Sequence, residues 1–336
     1  MQLACSEIDR RPTTDFKEFR EFKEFREFRE FREFYYLTLN FQLSIFNFQF
    51  VKYTPEILEQ LHKALFEITE EIQRVCKVLG VKSVALGGTA IGVHFWQNIL
   101  PWDDDVDLGM LRADYERFVA EAPALLGDDF FIQEFRTEGE TPFYWAKVRK
   151  RSTLFLESGF EWFDICHGIY VDLLPMDRVP NNPIARKLHR AEVCWWAGAW
   201  TCQPFWERRG EIARSSSLYY QKSLVSRAVL AVIYRCKGSR KWLWRRLNRA
   251  LVRYNGCPQC TMVDVIRTGV DLASYDSIAN AEERTFGRLM LHSPKDLEAY
   301  LHHHYPVLIK DIPDEQKVNH APLKLSFDTV KGKIYE

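Results

Sequence analysis

Residues 86–109 read LGGTAIGVHFWQNILPWDDDVDLG, and the remainder of the chain is best read outward from them. Ser83 to Leu86 is a short apolar run, the pattern of a buried strand. Gly87, Gly88 and Thr89 follow it; a glycine pair there lets the backbone approach a bulky anion closely, and the amides of the next helix would face that anion. After Pro101 and Trp102 come Asp103, Asp104, Asp105, Val106, Asp107 and Leu108. Acid and apolar residues alternate from Asp105 to Leu108, which is strand periodicity. Asp105 and Asp107 therefore share one face, with Val106 and Leu108 in the core behind them. Two carboxylates fixed in this way suit a divalent metal, and a phosphate cradle beside a metal site implies phosphoryl transfer.

Other acidic motifs fit less well. An EF-hand loop beginning at Asp103 would put Leu108 where glycine is needed and Asp114 where glutamate is needed. A helical acidic box of the prenyl-synthase type conflicts with Pro101 and with the alternation that follows it. A sugar-nucleotide transferase motif uses the same metal chemistry and stays open.

The stretch GGTAIG followed by PWDDDVDLG resembles the signature of the LicD family, to which the fukutin-type transferases are related. That resemblance implies an α/β (α+β) fold of the nucleotidyltransferase, polymerase-β-like kind, with a mixed sheet flanked by helices. It also implies transfer of a phosphorylated alcohol, phosphocholine by default, from a CDP-alcohol donor to a glycan or lipid-linked glycan acceptor. The metal implied is Mg²⁺ or Mn²⁺. A second block, His167 to Asp177 (HGIYVDLLPMD), is similar to another family segment. Asp172 lies there in an apolar strand, where an unpartnered carboxylate is costly, so it is expected to bind metal or move a proton, whereas Asp177 reads as a turn or cap residue. Strands are expected over 130–135, 143–149 and 153–157, and Lys147 and Arg149 share a face of the second. The resemblance assigns Lys147 to the donor phosphates, with Arg149 beside it. The expected site is therefore Asp105, Asp107 and Asp172 as catalytic and metal-binding residues. Gly87, Gly88, Thr89, Lys147, Arg149 and Asp103 are the expected substrate contacts, Asp103 supporting the metal ligands. A closing segment from Phe286 to Phe327, including Tyr300 and His320, resembles the family as well. Phe95 and Trp96 stand where the family carries an Arg-His pair, and Pro306 and Val307 where it carries Gly-Asp.

The flanks differ in character. Residues 16–34 repeat Phe-Lys/Arg-Glu with a period of three, which drifts about 60° per step around a helix and gives no stable apolar face. Residues 1–51 are thus expected to be a low-complexity leader, and residues 52–336 the working domain. Thr54 as N-cap, Pro55 at N1, leucines and isoleucines at spacings of three and four, and Gly80 as C-cap predict a long core-packed helix. A helical, basic subdomain is expected over about 183–256. Within 205–253 there are thirteen Lys/Arg against two Glu, a net of +11, in a chain whose 46 basic and 46 acidic residues otherwise balance. This local excess suggests an anionic surface or glycan. No nucleic-acid partner is expected. No segment reads as a signal peptide, and no apolar run reaches the roughly 18 residues of a membrane span. The expected setting is cytoplasmic, with peripheral contact at the inner membrane face through 205–253. The eight cysteines form no framework pattern and read as reduced thiols. Cys257 and Cys260 could be half of a zinc site, but no second pair stands near them.

Overall fold

The long helix predicted after Thr54 is present as α1 (Pro55–Leu79): Thr54 Oγ1 accepts from the Ile57 amide at 3.4 Å, and Gly80 closes the helix at φ +64°. Its buried face, Leu61, Leu65, Ile68, Ile72, Val75 and Leu79, packs on the sheet that carries the rest of the domain. The computed structural model describes residues 53–157, 160–207, 240–266, 271–305, 310, 317 and 319–330. All lie in one unit, Asn47–Glu336. The expected leader, most of the basic stretch (208–239) and Pro306 and Val307 lie outside the described residues.

Along the chain follow β1 (Val84–Ala85), α2 (Gly87–Phe95), β2 (Asp107–Leu111) and α3 (Arg112–Glu121). Next come β3 (Phe130–Gln133), β4 (Ala146–Lys150), β5 (Leu154–Leu156) and the long β6 (Ile169–Val179). Helices α4 (Pro183–Glu207) and α5 (Arg240–Leu251) precede β7 (Met262–Asp264), β8 (Ala273–Ser274) and α6 (Tyr275–Ala279). The chain closes with β9 (Glu282–Phe286), β10 (Leu289–Ser293), α7 (Leu297–His304) and β11 (Lys324–Ser326).

The main sheet runs β3-β4-β6-β2-β1-β10-β9, with β7 and β8 extending from β6 and a separate β5–β11 pair. It is mixed: β2 is parallel to β6 and β1 to β10, while β4 is antiparallel to β6 and β2 to β1. Helices flank it, so the fold is the mixed α/β class implied by the sequence. Val106, Leu108, Val171 and Leu173 are fully buried behind the acids that precede or alternate with them, as a period of two requires.

β6 joins two cores. Its first half pairs with β4 and β2, while its last three residues pair with β7 beside the helical lobe. There Val193, Ala197 and Trp200 of α4 meet Leu243, Leu247 and Leu251 of α5. Since the apolar face of α5 is spent on this core, its exposed Lys241, Arg245, Arg246 and Arg249 are left to meet any partner. No helix among the described residues is long and apolar enough to cross a membrane.

Candidate functional site

The register of the sheet assembles the site. In the parallel β2–β6 ladder Asp107 stands opposite Asp172, and in the antiparallel β4–β6 ladder Asp172 stands opposite Lys147. Directly opposed residues project to the same face. Lys147, Asp172 and Asp107 therefore form a row across three neighbouring strands. Asp105 precedes that row in the loop that enters β2. Of the acids from 103 to 107, Asp105 and Asp107 keep some exposure, as does Asp172, whereas Asp103 and Asp104 are buried. Asp105, Asp107 and Asp172 are thus the acids of this group that keep some solvent access.

The glycine turn lies against this row. Gly87 opens α2 with φ +49°, and a Cβ there would stand 3.6 Å from Asp107 Oδ2. A Cβ on Gly88 would come within 2.9 Å of Asp103 Oδ2. Thr89 Oγ1 accepts from the Asp107 amide at 2.9 Å, which fixes where β2 begins. The Gly87 amide donates to the Tyr300 hydroxyl at 3.3 Å, and that hydroxyl donates to Asp271 Oδ1 at 2.8 Å. A C-terminal helix therefore holds the turn in place, through a residue that local patterning gave no reason to connect with it.

Electrostatics set the acids apart from ordinary surface carboxylates. Burial, then the charges of Asp105, Asp172 and Asp271, push the Asp107 carboxyl well above the usual carboxylate range. Burial with repulsion from Asp105 and Asp104 does the same to Asp103. Asp172 is raised by burial, although Lys147 and a 2.7 Å bond from Trp145 Nε1 oppose that rise. Asp105 moves the other way: burial would raise it, but His320, Asp103 and Lys147 together lower it. Carboxylates here outnumber the cations that face them, and an added divalent cation would relieve the repulsion. The oxygen-rich donor set fits a divalent cation.

His320 is the main addition to the expected set. Its amide donates to Asp104 Oδ1 and Oδ2 at 2.8 and 2.9 Å, and its Nδ1 lies 3.0 Å from Asp105 Oδ2. Partial burial would lower the imidazole pKa, but Asp105 and Asp104 overcome it and hold it well above the ordinary value. Asp104, Asp105 and His320 bring three ligand atoms within 4.8 Å of one another, the one group of that spacing among the described residues. Asp107 and Asp172 stand outside it. The His320 Nδ1 lies 3.6 Å from Asp104 Oδ1 and 3.0 Å from Asp105 Oδ2, close to both carboxylates.

Asp104, Asp177 and Arg149 stand otherwise than local pattern suggests. Asp104 lies in the loop before β2, which starts only at Asp107. Its carboxylate is buried and takes the Tyr53 hydroxyl at 2.7 Å in addition to the His320 amide, so it ties both ends of the domain to the acidic loop. Asp177 is no turn residue: it lies inside β6, fully buried, with Arg112 Nε donating at 2.8 Å and Asn255 Nδ2 at 2.6 Å. Arg149 is on the face expected, yet its guanidinium is already bonded to Gln133 Oε1 at 2.6 Å, Gly168 O at 2.7 Å and Glu157 Oε2 at 2.8 Å. Lys147 is enclosed as well, 3.0 Å from Glu157 Oε1 and 3.6 Å from Asp172 Oδ1, with Tyr170 and Phe143 rings against its ammonium. Glu157, at the end of the third predicted strand, is the shared anion; despite burial, Lys147 and Arg149 bring its pKa down to about 2. Lys147 thus points at Asp172 from a fixed cage, and Arg149 braces Glu157 from behind.

Beside the acidic loop opens a groove of about 1040 Å³, lined by Tyr53, His62, Phe66, Asn98, Trp102 and Asn319 among others. His62 Nε2 lies 2.8 Å from the Asp103 carbonyl oxygen, so the groove and the acids share a wall.

The helix-flanked mixed sheet thus presents paired acids beside a glycine turn. Residues 80–191, a third of the chain, match the family model described as LicD/FKTN/FKRP, nucleotidyltransferase domain. The matched model describes a nucleotidyltransferase domain, which supports an enzymatic reading of this part of the chain. The match spans Gly87 to Asp172 and thus every residue of the expected site, while Asp271, Tyr300 and His320 lie beyond it. No curated protein matches the chain.

Proposed function

We propose that the protein transfers a phosphorylated alcohol, with phosphocholine as the default, from a CDP-alcohol to a glycan or lipid-linked glycan, releasing CMP. The observation that carries this reading is the cross-strand row of Asp107 and Asp172 with Asp105 beside it, partly exposed and flanked by Gly87-Gly88-Thr89. Asp105 and Asp107 would hold Mg²⁺ or Mn²⁺, with His320 and Asp172 within reach of the same space. The cation, when bound, neutralises charge on the phosphate oxygens and on the departing nucleotide. Gly87 and Gly88 leave room for the donor phosphates, and Asp103 supports Asp105 from the buried side. Lys147 supplies positive charge at the far end of the row. Asp172, whose carboxyl is raised by burial, is suited to complete the cation site or to take the acceptor hydroxyl proton. The groove past Trp102 offers an aromatic wall and amide groups, a lining suited to the sugar acceptor. The exposed cations of α5 leave peripheral contact with an anionic membrane face as a further proposal.

The nucleotidyltransferase description of the family keeps one alternative in view, transfer of a nucleoside monophosphate with release of pyrophosphate. Incubation with CDP-alcohols or nucleoside triphosphates and Mg²⁺ separates the two. CMP from a CDP-alcohol supports the first reading; pyrophosphate alone replaces it with the second.

A further inference from the structure

Away from the acidic crevice, a short turn brings another pair of reactive groups together. Cys257-Pro258-Gln259-Cys260 leads from the helical lobe into β7. The Cys257 amide donates to the Tyr254 carbonyl at 2.9 Å and the Cys260 amide to the Cys257 carbonyl at 3.1 Å. So wound, the turn sets the two sulfurs 3.2 Å apart, both as free thiols. A disulfide needs about 2 Å, so about 1 Å of movement in two side chains would close it.

The thiols are not equivalent. Cys260 is buried, at 7% exposure, while Cys257 is half-exposed at the mouth of the turn. Hydrogen bonds from the Cys260 thiol and amide lower the Cys257 pKa, whereas burial raises that of Cys260. Arg178, on β6, donates to the Cys260 carbonyl and stacks on Tyr275 at 3.6 Å, which places a fixed positive charge beside the pair. An accessible thiol favouring the thiolate, followed by an enclosed partner, is the division of labour that thiol–disulfide exchange requires. Among the described residues no third His, Cys, Asp or Glu joins the two at metal-ligand spacing.

We propose that Cys257 and Cys260 form a thiol–disulfide exchange site whose substrate is a low-molecular-weight disulfide, with Cys257 attacking and Cys260 resolving. The Cys257 thiolate attacks one sulfur of glutathione disulfide, forms a mixed disulfide and expels one glutathione thiolate. Cys260 Sγ, giving up its proton to solvent, then attacks Cys257 Sγ and expels the second glutathione. The dithiol loses two electrons and two protons; the glutathione disulfide gains both and leaves as two thiols. The bond so formed fixes the turn that delivers β7 to β6, at the opposite end of the strand from Asp172.

The full-length chain, equilibrated in oxidised and in reduced glutathione buffers, is quenched with an alkylating reagent, digested and analysed by mass. In the oxidised buffer the wild-type peptide containing both cysteines should lose two alkylation sites and carry no glutathione, and dithiol reductant should restore both sites. Cys260→Ser should accumulate one glutathione on Cys257. Cys257→Ser should be modified at least tenfold more slowly. Persistence of both alkylation sites in the oxidised wild type overturns the proposal. So does a glutathione adduct as abundant on the wild type as on Cys260→Ser. Stoichiometric zinc that shields the pair until a chelator removes it also overturns it, in favour of a metal site. The wild-type measurement decides the matter without either variant, should a serine prevent folding.

Discussion

The two ends of β6 treat a carboxylate in opposite ways. Asp172 and Asp177 are five residues apart, an odd separation, so they project to opposite faces of the sheet. At Asp177 the charge is matched: Arg112 grips both oxygens, at 2.8 and 2.5 Å, and Asn255 adds a bond at 2.6 Å. At Asp172 one lysine is shared with Glu157, and Asp107 and Asp105 stand alongside with charges of their own. A closed, neutral pair holds a fold together. An open surplus of one sign is relieved by protons or by a bound cation, and under the proposed function this is the binding end of the strand and the other the structural end.

The sharpest way to break the comparison is to neutralise the surplus. Asp105→Asn and Asp107→Asn each preserve shape and should lower turnover by about a thousandfold or more, because several kcal/mol of charge stabilisation at the phosphates is lost. Their melting temperatures should hold or rise as repulsion is relieved. Mg²⁺ should raise the melting temperature of the wild type and leave both variants unmoved. Nucleotide release and a thermal melt with and without Mg²⁺ make the measurement. Near wild-type turnover in either variant would end the metal-site reading.

At the other end the order reverses. Arg112→Met leaves Asp177 buried without its partner and should cost about 3–5 kcal/mol of stability, the usual consequence of orphaning one member of a buried pair. Turnover per folded molecule should stay within about twofold, because Arg112 faces away from the row. A denaturant titration paired with an activity assay checks both. A large activity loss with unchanged stability would erase the distinction between the two ends.

Much of this contrast could be read in the chain before folding. The alternation from Asp105 to Leu108 and the isolated acid in IYVDLL gave two strands with their acids on one face. Register then added what no local pattern contains, that Asp107 and Asp172 are neighbours rather than merely similar. Asp177 was misread because Pro175 suggests a turn, whereas β6 runs through it to Val179. His320, Asp271 and Tyr300 lie more than 150 residues beyond the glycine turn and the acids of 103–107 that they face. His320 and Tyr300 figure in the sequence only as parts of a resembling segment, for periodicity reports an element's own face and not what another element lays on it. Arg149 shows the converse: it lies on the face its spacing predicts, but Gln133 of β3 and Glu157 just after β5 occupy its guanidinium.

A third acid of β6's neighbourhood tests the charge-matching argument through pH. Asp264 faces Asp177 across the β6–β7 ladder and is buried, with one oxygen lacking a hydrogen-bond partner among the described residues. Burial, followed by repulsion from Asp271, pushes its pKa up to about 7 against the pull of Arg190 and Arg186. The folded state thus binds this proton more tightly than the unfolded state does. Its contribution to stability is whole below about pH 4 and falls as pH rises toward 7, by at most about 4 kcal/mol. Asp264→Asn removes that slope. Relative to wild type the variant should gain stability from pH 5 to pH 8, read as the difference between two denaturant series. A difference that stays constant with pH would mean the carboxylate is already matched, like Asp177.

The smallest effect concerns the glycine turn, where adjacent residues serve different ends. Gly87 has φ +49°, a conformation that costs a residue with a Cβ about 1 kcal/mol. Yet its added Cβ would meet Asp107 Oδ2 at an ordinary 3.6 Å, so the carboxylate need not move. Gly88 is the reverse: an added Cβ would press on Asp103 Oδ2 at 2.9 Å, and Asp103 is buried with little room to yield. Gly87→Ala should therefore lose about 1 kcal/mol of stability with the donor KM changed by less than about threefold. Gly88→Ala should shift the acidic loop, raising the donor KM more than Gly87→Ala does, and weakening the Mg²⁺-dependent rise in melting temperature. A denaturant series, donor saturation curves and the Mg²⁺ melt on both variants separate backbone strain from site geometry. If Gly87→Ala proves the more damaging to donor binding, the phosphates approach the helix start itself, and the strained glycine belongs to the binding end of the comparison as well.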